Sequence, residues 1–65
     1  MKFLRYDNYQ KENSNGNWVK FDDVKDIPGI EQWSRFYLNC WGNHIYDENG
    51  EWISYSFVEK VVNKE

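Results

Sequence analysis

The sequence predicts an α+β domain, a small and mostly antiparallel sheet of four to five strands built from two related hairpins, with a C-terminal helix on one face. An internal repeat is the first observation behind this. Gly16-Asn17-Trp18-Val19-Lys20-Phe21-Asp22-Asp23-Val24 and Gly50-Glu51-Trp52-Ile53-Ser54-Tyr55-Ser56-Phe57-Val58 share the pattern Gly-x-Trp-(Val/Ile)-x-(Phe/Tyr)-x-x-Val, each followed by two charged residues and a β-branched one. Such a match within 65 residues predicts a single domain, 1–65, with an internal duplication at 16–27 and 50–61. The second observation is that each copy follows an Asn-Gly pair, Asn15-Gly16 or Asn49-Gly50, the dipeptide that favours tight hairpin turns through positive φ. The third is Ser56-x-x-Glu59, a capping-box pattern, with Phe57, Val58, Val61 and Val62 as an apolar stripe behind it.

In chain order, Lys2 to Tyr9 alternates well enough for a first strand, and Gln10 to Gly16 is polar and turn-forming. Asn17 to Phe21 is the second strand, with Val19 and Phe21 on one face and Trp18 and Lys20 on the other. Asp22 or Asp23 is placed to cap a short helical turn through Ile27, which Pro28 and Gly29 end. Residues 30–41 fit either helical or strand spacing, and their aromatic composition favours a strand from Arg35 to Trp41. Gly42-Asn43 then bends the chain into His44-Ile45-Tyr46, Asp47 to Gly50 turns it again, and Glu51 to Tyr55 is the last strand. The C-terminal helix is expected to end near Asn63.

A domain this small buries only about 60% of the surface its unfolded chain exposes, so most of its four Trp, five Tyr and four Phe must be structural. A single cysteine, Cys40, rules out an internal disulfide, and a homodimer or a tight partner is a reasonable source of added stability. Net charge is −3 with the signs interspersed, which argues against a duplex-DNA binder and its basic face. Neither the opening Met1 to Tyr6 nor any later stretch is apolar for long enough to be a signal peptide or a membrane span, and a cytoplasmic protein is expected.

Trp18 and Trp52 are the most informative pair. If Val19 and Ile53 face the helix, both indoles emerge on the opposite face beside Lys20, either as a contact surface or as a second core. Trp18, Lys20, Trp33, Trp41 and Trp52 are therefore the candidate partner-binding residues. The class-distinct alternative is stacking of single-stranded bases on the sheet aromatics, with Arg5, Lys20 and Arg35 on the backbone, against which the net charge argues. Cys40 and His44 lack a third activating group and are too few for a zinc site, so neither catalysis nor a metal or other cofactor is expected.

Gly16 to Val24 is similar to phrases in short, uncharacterised phage and prophage proteins, and the absence of Ala and Thr beside eight Asn suits AT-rich coding. Asp26-Ile27-Pro28-Gly29-Ile30-Glu31, with Tyr37-Leu38-Asn39 and Trp41-Gly42-Asn43, resembles the small DNA-binding modules that accompany phage HNH nucleases. That second resemblance implies DNA binding. The expectation from all of this is a non-enzymatic phage, prophage or plasmid accessory protein that binds a host protein, with inhibition of a defence nuclease or other host enzyme as its activity.

Overall fold

The computed structural model describes residues 3–62, so Lys2, the expected start of the first strand, and Asn63, the expected helix end, lie outside the described residues. Four short strands, β1 (Trp18–Lys20), β2 (Phe36–Leu38), β3 (His44–Tyr46) and β4 (Trp52–Ser54), are joined by helices α1 (Phe21–Val24) and α2 (Tyr55–Val62) and a 3₁₀ turn at Ile30–Gln32. The strands form one antiparallel sheet in the order β1-β4-β2-β3, with α2 at the C-terminal end, so the chain has the α+β class its sequence predicts. Tyr6 extends the sheet past β1 by bridging Trp18 on one side and Glu12 on the other.

The two repeated segments pair with each other. β1 and β4 run antiparallel through Val19 opposite Ile53, with Trp18 opposite Ser54 and Lys20 opposite Trp52, as a two-fold relation requires. The turns repeat bond for bond. The Asn13 amide donates to the Arg5 carbonyl at 2.8 Å and the Asp47 amide to the Arg35 carbonyl at 3.0 Å. Gly16 and Gly50 donate to the carbonyls of Asn13 and Asp47, each at 2.8 Å.

Each unit also opens with a hairpin. Asp7 Oδ1 accepts the amides of Tyr9 and Lys11, and Asn39 Oδ1 accepts those of Trp41 and Asn43, so a side chain two and four residues upstream fixes both tips. Gln10 in one tip and Gly42 in the other take positive φ, 66° and 80°. This turn chemistry reduces the described part of the expected first strand, 3–9, to the bridges at Tyr6, and ends the expected strand 35–41 at Leu38. The second hairpin is longer. Between the Arg-aromatic start and the glycine, the second unit has four residues more than the first, corresponding to Tyr37, Leu38, His44 and Ile45.

Helix starts depart from expectation in the same way in both units. The Phe21 amide donates to the Glu51 carbonyl at 2.7 Å and the Tyr55 amide to the Asn17 carbonyl at 2.8 Å, so each helix's first free N–H is satisfied by the other unit's backbone. Side-chain caps are displaced accordingly. Lys20 is the N-cap of α1 without a side-chain bond, Asp22 and Asp23 lie within its first turn, and the helix stops at Val24 instead of reaching Ile27. α2 begins at Tyr55, which puts Ser56 inside the helix, its Oγ 3.0 Å from Ser54 Oγ, instead of at a capping box.

The sheet separates two cores. On the helix side Val19, Val24, Ile30, Ile53 and Val58 are fully buried, with Phe21, Trp33 and Tyr55 packed around them. On the other side Trp18, Trp52 and Leu38 are buried beneath Tyr6 and Phe36. The hairpin tips meet across this arrangement, because the Gln10 amide Nε2 donates to the Leu38 carbonyl at 2.7 Å and the Tyr9 ring lies against Gly42.

Candidate protein-contact surface

Burial divides the five candidate contact residues. Trp18 is 6% exposed and Trp52 3%, so of the two readings of this pair it is the second core, and not a contact surface, that the indoles form. Trp18 Nε1 donates to Asn8 Oδ1 at 2.7 Å, and its ring meets Phe36 edge-on at 5.5 Å. Trp52 meets Tyr6 in the same manner at 5.1 Å. The physical reason is the pair of aromatics that open the hairpins: Tyr6 and Phe36 each cover the tryptophan of the other unit. Trp33 is half-buried and stacks on Phe57 of α2 at 4.6 Å with the planes 15° apart. Lys20 is exposed, with Nζ 5.2 Å from the Tyr6 ring centroid.

Trp41 is the candidate tryptophan that remains available. It is 76% exposed at the tip of the β2–β3 hairpin, whose turn is pinned by Asn39 Oδ1 accepting the amides of Trp41 and Asn43, both at 3.0 Å. Tyr9, the residue at the corresponding position in the first tip, is 60% exposed and packs against Gly42 next to Trp41. An aromatic held on a braced turn loses little freedom on binding, which is what makes such residues effective anchors. Gln10 and Lys20 line a recess with Tyr6, Asp22 and Glu51, so charged and polar groups lie beside the first tip.

Sequence reasoning missed Leu4, Tyr9, Tyr37, Ile45 and Tyr46, all exposed. These exposed apolar residues lie outside the repeated Gly-x-Trp segments. Tyr37 and Ile45 belong to the four residues that have no counterpart in the first unit, a signal visible once the Arg-aromatic starts are aligned.

Arg5 and Arg35, named for a nucleic-acid backbone, are engaged within the fold. Arg5 Nε donates to the Gly16 carbonyl at 2.8 Å while its guanidinium carbon lies 3.7 Å from the Tyr55 ring centroid. Arg35 Nε donates to the Gly50 carbonyl at 2.7 Å and its guanidinium carbon lies 3.9 Å from the Phe21 centroid. Each arginine thus joins its own unit's turn to the other unit's helix.

Cys40 is an exposed free thiol, and the His44 ring packs 5.4 Å from both Trp18 and Phe36. Among the described residues no group of three or more His, Cys, Asp or Glu is placed to hold a metal ion, and no helix is long and apolar enough to cross a membrane. No protein-family model matches the chain, and comparison with curated proteins and with solved structures finds no match either.

Proposed function

We propose that this chain is a small non-enzymatic accessory protein that acts by binding another protein, with the adjoining hairpin tips as its contact surface. Trp41 is the anchor, Tyr9 packs beside it, and Gln10 and Lys20 supply a polar rim. The observation that carries this reading is the 76% exposure of Trp41 on a turn braced by two hydrogen bonds from its backbone to Asn39. A large aromatic kept in solvent adds nothing to the core of a 65-residue domain that needs its aromatics inside.

The AT-biased composition and the likeness of Gly16 to Val24 to phage and prophage phrases support a phage, prophage or plasmid accessory protein acting on a host protein in the host cytoplasm. Occluding a host enzyme, a defence nuclease among them, needs only about 800 Å² from each side, an area such a domain can supply. The nucleic-acid alternative is weakened by the engagement of Arg5 and Arg35 in turns and aromatic stacking.

The experiment is affinity capture from a bacterial lysate with and without nuclease, comparing wild type with Trp41→Ala. A protein recovered after nuclease treatment by the wild type and lost by Trp41→Ala is the expected result. Equal recovery by both chains removes Trp41 as the anchor, and recovery that depends on nucleic acid revives the alternative.

A further inference from the structure

The two edges of the sheet have diverged. Its first edge ends at Glu12, beside Lys11, so charge guards the open hydrogen-bonding groups there. The corresponding edge of the second unit, β3, is longer and reads His44-Ile45-Tyr46, with all three residues exposed and neither Lys nor Pro among them. In the β2–β3 hairpin the register pairs Tyr37 with Ile45, flanked by backbone bonds at the pairs Asn39–Asn43 and Asp47–Arg35. Hydrogen-bonded pairs alternate in an antiparallel ladder, so Ile45 directs its amide and carbonyl inward to β2, while His44 and Tyr46 direct theirs out of the sheet.

We infer that β3 is the dimerisation edge of this protein, pairing antiparallel with β3 of a second copy about a two-fold axis at Ile45. The register follows from the side chains. Outward groups on both copies allow three short registers, centred on His44, Ile45 or Tyr46. Centring on His44 places Ile45 opposite Asn43, and centring on Tyr46 places it opposite Asp47. Only the Ile45-centred register sets apolar against apolar, Ile45 facing its own copy and His44 facing Tyr46, and burial pattern is what fixes register. Each His44–Tyr46 pair then exchanges two backbone hydrogen bonds, and a residue i that meets j while j meets i is the condition for a closed two-fold interface.

A second copy suits this edge better than a foreign strand for two reasons visible in the fold. The edge is uncharged in a chain of net charge −3, so two copies approach there without like charges opposed. Two of the four extra residues of the second unit, Tyr37 and Ile45, are cross-strand partners on the same face, 53% and 49% exposed, and pairing extends them into one stripe, Tyr37 and Ile45 of one copy followed by Ile45 and Tyr37 of the other. The inference does not depend on the proposed partner, because the tip residues Trp41 and Tyr9 lie outside the paired segment.

Sedimentation equilibrium of the full chain under reducing conditions tests it. Wild type is expected to be a concentration-dependent dimer, and Ile45→Lys, which sets two ammonium groups face to face, a monomer with an unchanged circular-dichroism spectrum. Ile45→Cys in a Cys40→Ser background is expected to cross-link two chains on oxidation with diamide, whereas Asp47→Cys in that background is not, a result that also decides the matter should Ile45→Lys fail to fold. A wild type that sediments as a monomer at every concentration, leaving the edge to a strand of another protein, overturns the proposal. So does a dimer that persists in folded Ile45→Lys, or equal cross-linking at residues 45 and 47.

Discussion

Gly16 and Gly50 sit where backbone passes backbone. A side-chain carbon on Gly16 would run into the carbonyl of Tyr6 and stand 2.8 Å from its amide nitrogen, and one on Gly50 would meet Phe36 in the same way. Positive φ, expected from the Asn-Gly pairs, is not the requirement, since the positive-φ glycines are Gly29 and Gly42. The two reasons predict different mutants. Gly50→Asn is tolerated where positive φ is the demand and not where space is, so Gly50→Asn and Gly50→Ala are both expected to abolish cooperative unfolding in urea. Gly29→Ala, with φ of 88° and room for a Cβ at an ordinary 3.7 Å from Gln32 Nε2, is expected to cost only about 1–2 kcal/mol. The tryptophans divide in the same manner. Trp52→Ala should remove about 3–5 kcal/mol, a large share of a small domain's stability, and leave an unfolded circular-dichroism signal. Trp41→Ala, at the exposed tip, should change the stability measured in urea by no more than about 0.5 kcal/mol.

At the scale of elements, the fold is held by exchanges between the two units. Arg5 and Arg35 each donate to a glycine carbonyl of their own unit and lie over an aromatic ring of the other. Arg35→Lys keeps the charge but loses the Nε donor and the planar face, and is expected to destabilise by about 1–2 kcal/mol in chemical denaturation, with Arg5→Lys matching it. An effect confined to one arginine would show that the symmetry of the contacts is not a symmetry of energies. The Gly-x-Trp segments were legible as strands because their alternation is local, and Val19 and Ile53 do face the helices. The Asp7 and Asn39 turns were not, because nothing in residue type distinguishes a side chain that bends its own backbone from one solvated at a strand end. Connectivity was hidden for a related reason. The turn at Asp47–Gly50 joins β3 to β4, which are not neighbours, since β2 lies between them. The choice between contact surface and second core at Trp18 and Trp52 was not legible because their covers, Tyr6 and Phe36, come from the opposite unit, and pairing between units is a long-range fact that periodicity does not carry.

For the molecule as a whole, this exchange makes each half incomplete. Val19 is buried against Ile53, α1 and α2 each have their first amide capped by the other half, and Trp18 and Trp52 each meet the leading aromatic of the other half edge-on. A half alone holds a helix of four or eight residues, well below the roughly 12–15 that an isolated helix needs. Peptides 1–29 and 30–65 are therefore each expected to be unstructured by circular dichroism. Electrostatics do not oppose their union, because residues 1–29 carry five basic and five acidic side chains and the net charge of −3 resides in residues 30–65. Mixed in equal amounts, they should regain the spectrum of the intact chain. Cutting the link after Gly29 discards an effective concentration on the order of millimolar, so the complex should dissociate on dilution where the intact chain does not. A native spectrum from either peptide by itself would mean that one unit is a complete fold and the other an appendage, which the shared core at Val19 and Ile53 speaks against.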